Sequence, residues 1–212
     1  MYVFIAVLGT VPLLVLPFIA HPETANYRYS FLFLVPILWG TAKLGRGIHL
    51  HPFHFALFAL ALVLHDLGAL GYYYREFYGL SFDTYVHFYF GLVGALILER
   101  GFRFGLGLIG WKVWLATVVF LLGLGALHEL MELGSTLSLG KGVGMYWMDD
   151  PDRFDTQKDL FNNLCGSLVG LSAAWAFRKS RQAKTQPQDE TSTGPSADGT
   201  RSVARAPLDA VE

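Results

Sequence analysis

The sequence has little of what a soluble or secreted domain normally carries. Only 16% of its 212 residues are charged, and it contains a single cysteine, Cys165. The charged fraction is far below the roughly 25% of a soluble domain. One thiol also excludes an internal disulfide and a cysteine-based zinc knuckle. No P-loop and no dinucleotide-binding fingerprint is present. Nothing therefore supports a nucleotide-binding or disulfide-stabilised class.

Apolar residues dominate what is present. They make up 53% of the chain, and the mean hydropathy is +0.39. Apolar runs near the roughly 20 residues needed to cross a bilayer occur at Val3–Ala20, Phe53–Tyr74, Asp83–Leu98, Trp111–Leu133 and Asp159–Phe177, with a shorter one at Ser30–Ala42 that borrows from Asn26–Tyr29. The sequence therefore predicts an all-α, polytopic transmembrane bundle of six helices in a lipid bilayer.

The two ends of the chain differ in composition. No lysine or arginine precedes the first apolar run and no clear small-residue cleavage site follows it, so we interpret it as a membrane helix rather than a secretory signal. From Arg181 onward the chain is rich in Gln, Ser, Thr, Pro, Ala and Asp without periodicity, which is typical of disorder. We expect a membrane domain over residues 1–180 and a disordered cytoplasmic tail over 181–212.

Basic residues are distributed unevenly between the predicted loops. If the amino terminus starts inside, eleven of the sixteen bases lie inside, namely Lys43, Arg46, Arg100, Arg103, Lys112, Arg178, Lys179, Arg181, Lys184, Arg201 and Arg205. The positive-inside rule then places both termini in the cytoplasm of a bacterial inner membrane. Tyrosines from Tyr72 to Tyr85 mark the outer interface, and Trp39, Trp111 and Trp175 mark the inner one.

Polar residues recur at the predicted outer ends of three helices. Pairs spaced four apart lie on one helix face, and they are Asp83 with His87, His128 with Glu132, and Asp155 with Asp159. Asn163 follows Asp159 by one turn, and Glu129 follows His128. An ionisable residue inside a membrane costs about 2.5–3.5 kcal/mol and normally faces the bundle interior. We therefore expect the three stripes to face one another around a shared polar site.

The third apolar segment adds two further candidates and a base. His65 and Asp66 are adjacent, and adjacent helical residues point about 100° apart. At most one of them can therefore face the site, and we favour Asp66. Arg75, which we place at the outer end of the same helix, is a candidate counter-ion for the acids or an anchor for an anionic substrate.

Simpler structural explanations exist for each of these residues. Asp83 and Asp159 could each be a helix N-cap, and His128 with Glu132 could be a helix-stabilising pair. Asn163 could bond neighbouring helices, and close packing explains Gly91, Gly94, Gly166 and Gly170. Capping does not, however, predict a histidine one turn inside the helix, so we keep the shared site.

A second group of histidines forms the rival cluster. The stretch "HLHPFH" spans His49–His54 in the predicted inner loop, and Pro52 marks the start of the third helix. Three histidines this close can bind a transition metal, but no carboxylate accompanies them. We interpret the stretch as an interfacial turn.

Three stretches, "DTYVHFYFG", "HELMELG" and "DTQKDLFNNLCGSLVG", resemble the YjdF-like family of bacterial inner-membrane proteins and, more distantly, the VanZ-like family. The matching positions are Asp83, His87 and Phe88, then Glu129 or Glu132, then Asp155, Asp159, Asn163, Gly166 and Gly170. The likeness covers roughly Phe31–Phe177 and departs at Phe154 and Leu160, where the family pattern has tryptophan and methionine. The resemblance implies a six-helix inner-membrane protein. VanZ-like members are associated with glycopeptide-antibiotic tolerance, which implies cell-envelope chemistry.

Three functions fit these residues. The first is a site for Zn²⁺, Mn²⁺ or Mg²⁺ that acts as a hydrolase or transferase on a lipid-linked envelope substrate. Its metal ligands would be Asp83, His87, His128, Glu132 and Asp155, its catalytic carboxylates Glu129 and Asp159, and its supporting residues Asp66, Arg75 and Asn163. The stretch "HELME" has Glu132 where a zinc-protease HExxH motif needs its second histidine.

The second function is a cation or proton-coupled transporter. The predicted inner halves of the helices are almost wholly apolar and no inverted repeat is evident, and both features argue against transport. The third is a non-catalytic envelope protein in which the polar stripes only join the helices. We expect no nucleic-acid partner.

Overall fold

The computed structural model describes residues 1–19, 30–45, 47–68, 71–139 and 154–185. In these ranges the chain forms six α-helices, and the prediction of an all-α bundle of six helices is confirmed. The helices are α1 (Tyr2–Val15), α2 (Phe31–Leu44), α3 (Pro52–Leu67), α4 (Phe82–Gly105), α5 (Trp111–Leu139) and α6 (Asp155–Thr185).

The connection between α3 and α4 contains the strands of the described chain. Strand β1 (Glu76–Phe77) pairs antiparallel with β2 (Leu80–Ser81). Tyr78 and Gly79 join them with φ values of 54° and 78°, as a two-residue hairpin turn requires. A 3₁₀ turn at Tyr72–Tyr74 precedes the hairpin. The prediction that the third helix reaches Tyr74 is therefore wrong by seven residues, because apolar tyrosines alone do not extend a helix.

Helices α4, α5 and α6 extend past their predicted apolar runs. Helix α4 continues seven residues beyond Leu98, and α5 continues six residues beyond Leu133. Helix α6 begins at Asp155 and ends at Thr185. The rest of the expected tail, residues 186–212, lies outside the described residues. The apolar count therefore located the helices but underestimated the length of α4, α5 and α6 and overestimated that of α1 and α3.

Contacts between helices define two ends of the bundle. At one end, which we call the acidic end, the start of α4 meets the start of α6 through His87 and Asp159. At the opposite end, which we call the basic end, Arg178 of α6 bonds to Glu99 of α4. The Tyr2 hydroxyl donates to the carbonyl of Leu50, in the loop between α2 and α3. The same loop accepts a hydrogen bond from Arg100 of α4 through the carbonyl of His49, so both α1 and the last turns of α6 reach the basic end.

The packed interior has two parts. Buried Leu13, Leu38 and Phe55 join α1, α2 and α3 in an apolar core. Between α4 and α6 the backbones touch, because a Cβ atom added to Gly166 would come within 2.0 Å of the Phe88 carbonyl oxygen. Close packing is thus the confirmed role of this glycine, and the contact brings the two polar helix faces together.

The outer surface of the bundle is apolar. Large exposed side chains include Val7 and Val11 on α1 and Leu115, Val119 and Leu127 on α5. By length and composition, the described residues contain two helices able to cross a membrane, within α5 (Trp111–Met131) and α6 (Asp155–Ala183). Helices α1 to α3 are apolar but shorter. Such a surface suits a bilayer better than water.

Candidate functional site

The start of α4 directs Asp83 toward His87. Ser81 is the N-cap, and its hydroxyl oxygen accepts a hydrogen bond from the amide of Thr84 at 3.3 Å. Asp83 therefore lies inside the first turn, and the N-cap explanation for it is wrong. Its Oδ1 atom lies 3.4 Å from Nε2 of His87, one turn further along the helix. The spacing of four residues produces the contact that the sequence predicted.

The start of α6 supplies the opposing carboxylate. Because α6 begins at Asp155, Asp159 lies in the second turn and is not an N-cap either. Asp159 is only 4% exposed. Its Oδ2 atom lies 3.5 Å from Nε2 of His87, and its buried Oδ1 atom has no hydrogen-bond partner in the described part of the chain. An unpartnered buried carboxylate oxygen is costly and indicates a missing ligand or proton.

Asp83, His87 and Asp159 thus meet at one point. Each offers a nitrogen or oxygen atom, and the three atoms lie within 4.8 Å of one another. Across the ranges that the structure describes, no other group of three or more His, Cys, Asp or Glu side chains converges in this way. His87 is the centre of the cluster because its Nε2 atom faces both carboxylates.

Asn163 contacts the other nitrogen of the same imidazole. Its Nδ2 atom lies 3.3 Å from Nδ1 of His87, and Gly125 of α5 leaves room for the amide. In this amide orientation Nδ1 accepts and Nε2 carries the proton toward the carboxylates. With the amide turned over, Oδ1 of Asn163 accepts from Nδ1–H and the Nε2 lone pair faces them. Asn163 therefore controls which nitrogen of His87 can bind a cation.

His128 and His65 extend the cluster toward α3. The ring of His128 lies 6.3 Å from that of His87 and 5.9 Å from that of His65. The Tyr73 hydroxyl lies 2.8 Å from Nδ1 of His65. Asp66 instead accepts a hydrogen bond from Ser30, the residue that precedes α2. The preference for Asp66 over His65 is therefore wrong, because helix rotation directs Asp66 to a different neighbour.

The remaining acids of the acidic end differ in their contacts with the cluster. Oε2 of Glu129 accepts a hydrogen bond from the Thr156 hydroxyl of α6 at 3.0 Å, and its buried Oε1 atom has no partner among the described residues. Asp155 is half-buried one turn before Asp159, and both Asp155 and Glu129 act electrostatically on Asp159. The side chain of Glu132 lies outside the described residues. Several like charges so close need a bound cation or shared protons.

Arg75 and the histidine-rich turn lie outside this cluster. Arg75 belongs to the connection after α3, where it is exposed and its guanidinium lies 5.2 Å from the centre of the Tyr72 ring. His51 caps α3 by accepting a hydrogen bond from the amide of Phe53, and α3 begins at Pro52 as predicted. His51 therefore has a capping role, and the interfacial position of the turn stays a prediction.

Sequence reasoning missed one buried acid at the basic end. Glu99 is 4% exposed and bonds to both Arg103 and Arg178. Glu99 and Arg103 are four residues apart, and this spacing indicates the ion pair between them. The partner on α6 was not readable, because no local pattern links positions so far apart in the sequence.

Comparisons with known proteins agree on a membrane family. A family model described as "Predicted membrane protein (DUF2238)" matches residues 2–180. The inner membrane protein YjdF of Escherichia coli (strain K12) is 30% identical over 154 residues, which cover 65% of this chain and 70% of that protein. No solved structure matches the chain. The resemblance to YjdF-like proteins is therefore confirmed, whereas the more distant one to VanZ-like proteins stays a prediction.

Proposed function

The chain belongs to the DUF2238 family of membrane proteins, and we propose that this inner-membrane protein binds a divalent metal ion at Asp83, His87 and Asp159. One observation carries the proposal, namely the convergence of these three side chains from α4 and α6 within 4.8 Å. The unpartnered, buried Oδ1 atom of Asp159 gives it independent support.

The distances fit a small cation. Zinc lies about 2.0–2.2 Å from nitrogen and oxygen ligands, so neighbouring ligands of a tetrahedral ion are about 3.3–3.5 Å apart. The Nε2 atom of His87 lies 3.4 Å from Asp83 and 3.5 Å from Asp159. One imidazole with two carboxylates suits Zn²⁺ or Mn²⁺ and, with water completing the shell, Mg²⁺. Asp159 is therefore assigned as a ligand rather than as a separate catalytic base.

Asn163 would position the histidine ligand. A histidine that binds metal through Nε2 usually donates its Nδ1–H to an oxygen acceptor. Oδ1 of Asn163 provides that acceptor when the amide is turned over, without any movement of α6. His128, whose ring lies 6.3 Å from that of His87, and Asp155 lie outside the group of converging ligand atoms and would line the site rather than bind the ion.

The chemistry proposed is hydrolysis or group transfer on a lipid-linked envelope substrate. A bound divalent ion polarises an ester or phosphoryl oxygen. Glu129 would act as general base, because its Oε1 atom has no hydrogen-bond partner among the described residues while Thr156 fixes Oε2. The cluster lies in the first two turns of α4 and α6, so a lipid headgroup reaches it while its acyl chains stay in the bilayer. The acidic end would face the cell exterior.

A second candidate function is a non-catalytic bundle, and the present Asn163 orientation favours it. If Nδ2 of Asn163 donates to His87, then Nε2–H of His87 donates toward Asp83 and Asp159. The cluster would then join α4 to α6 without a metal. A transporter fits less well, because apolar Val93, Ala95 and Leu171 are fully buried between the cluster and Glu99.

Metal content tests the proposal directly. The full chain is purified in detergent, treated with chelator, incubated separately with Zn²⁺, Mn²⁺ and Mg²⁺, and assayed for bound ion. Wild type should retain about one ion per chain and His87→Ala should retain none. His51→Ala, which removes a histidine of the basic end, is the control and should bind like wild type. Equal binding by wild type and His87→Ala would contradict the proposal.

A further inference from the structure

A cavity lies at the basic end, remote from the proposed metal site. Its volume is about 710 Å³, within the range of small-molecule sites. The residues that line it come from the ends of α4 and α6, the start of α5 and the loop between α4 and α5, and they are Arg103, Gly110, Trp111, Trp114, Trp175, Arg178, Lys179 and Gln182. Three are bases, three are tryptophans and none is acidic.

Buried Glu99 orients the two arginines. The Nε atom of Arg103 donates to Oε1 of Glu99 at 2.8 Å, and an Nη1 atom of Arg178 donates to the same oxygen. Each guanidinium has five N–H donors and uses one nitrogen in this bond. Their side chains are 22% and 29% exposed, so the remaining donors are accessible from the cavity. One carboxylate thus positions two guanidinium groups without neutralising both.

Lys179 adds a third positive charge at the rim. Its Nζ atom lies 5.2 Å from the centre of the Trp175 ring, which is within the range of a cation–π contact. Lys179 is exposed. With three bases against the single charge of Glu99, the cavity carries an excess of positive charge and selects for an anion.

The tryptophans indicate where that anion comes from. Trp111 is 69% exposed and Trp175 is 51% exposed on the apolar outer surface. Tryptophan concentrates at the headgroup level of a bilayer, where the ring contacts both acyl chains and polar groups. The cavity combines basic side chains with tryptophan rings, and we expect it at the headgroup level of the bilayer. This combination fits a molecule that has both a phosphate group and hydrocarbon chains.

We propose that this cavity binds the phosphate headgroup of an anionic phospholipid. Arginine pairs place two or more N–H donors on phosphate oxygens, and basic pockets between membrane helices are suited to anionic headgroups. Arg103 and Arg178 contact the phosphate, Lys179 contacts it from the rim, and Trp111 and Trp175 pack against the lipid chains. The site is independent of the proposed metal site, from which it is separated by the length of α4.

Competition between lipids tests this assignment. The full chain in detergent is titrated with equal amounts of phosphatidylglycerol and phosphatidylcholine, and bound lipid is measured by native mass spectrometry. Wild type should retain phosphatidylglycerol at least about five-fold in excess. Arg178→Gln combined with Lys179→Gln should abolish the preference. Lys179→Gln alone changes an exposed side chain and should lower the preference for phosphatidylglycerol by about half.

A matched control removes the same charge from the same end. Lys112 and Arg181 are exposed at the basic end but do not line the cavity. Lys112→Gln combined with Arg181→Gln should therefore keep the preference. Equal loss in both double variants would show attraction by general charge and overturn the site. Displacement of the lipid by millimolar inorganic phosphate would overturn the assignment to a lipid, as would a Lys179→Gln variant indistinguishable from wild type.

Discussion

Gly166 of α6 packs against the carbonyl oxygen of Phe88 of α4 so closely that a methyl group on the glycine would lie 2.0 Å from it. Phe88 follows His87 directly, and Gly166 lies two turns beyond Asp159. The approach of the two backbones is therefore what brings the imidazole to the carboxylate. Gly91, opposite the backbone of Asn163, makes the same approach from α4.

Gly166→Ala should separate α4 from α6. A rigid backbone oxygen cannot move aside, so we expect a loss of about 1–3 kcal/mol in stability, together with weaker metal binding. Thermal unfolding in detergent measures the first effect. Gly123→Ala on α5 is the control, because nothing lies within 4 Å of a Cβ atom there. Equal melting temperatures for the two variants would contradict the close contact.

Asp159→Asn should distinguish the effect of the negative charge of Asp159 from the effect of its shape. The amide keeps the size of the carboxylate, so the variant should insert and express normally. It should bind metal at least about ten-fold more weakly, because a neutral amide is a poor ligand for a divalent cation. Glu76→Gln, at an exposed acid of the hairpin, is the control for lost negative charge. Unchanged metal affinity in Asp159→Asn would show that Asp159 does not act through its charge.

Asn163 distinguishes a metal site from a purely structural network. If His87 binds metal through Nε2, Asn163→Asp keeps an acceptor for Nδ1–H and should retain metal, whereas Asn163→Leu should lose about 10–100-fold in affinity. If the cluster is structural, the N–H donor of Asn163 is what matters instead. Asn163→Asp lacks that donor and should then be less stable than wild type. Metal titration and thermal unfolding of both proteins supply the two readouts. Lowered stability with no metal affinity in Asn163→Asp would favour the structural network.

Membrane orientation follows from the two ends of the bundle. Cys165→Ser gives a cysteine-free chain, into which Glu76→Cys at the acidic end or Ile109→Cys at the basic end is introduced. Both positions are exposed. An impermeant maleimide added to spheroplasts should label position 76 and leave position 109 unlabelled until the membrane is opened, because the sequence predicts eleven of the sixteen bases on the inner side. The reverse pattern would place the proposed metal site in the cytoplasm.

The sequence predicted the elements of the site better than their rotation. Asp83 and His87 are paired by local spacing alone, and the glycines of α6 indicated a close helix contact. Whether His65 or Asp66 faced the cluster depended on how α3 is rotated against its neighbours, and Asp66 faces Ser30 at the start of α2 instead. Tertiary packing sets helix rotation, so a pattern within one segment cannot supply it.

The same limit explains the missed cluster at the basic end. The apolar run of the fourth segment stops at Leu98, so Glu99 fell outside the predicted span. Its burial depends on Arg178, which lies on a different helix. The burial of a charged side chain can be recognised only when the helix that packs over it is known.

The pairing of α4 with α6 also has a consequence for biosynthesis. Helix α4 emerges from the ribosome long before α6, so Asp83 and His87 enter the membrane while their partner Asp159 is still unmade. Until then the polar face of α4 must be shielded by the insertion machinery or by α3 and α5. A nascent chain stopped before residue 155 lacks the carboxylate and the glycines that complete the bundle. We expect such a fragment to expose polar groups of α4 to the lipid and to be less stable than the full chain.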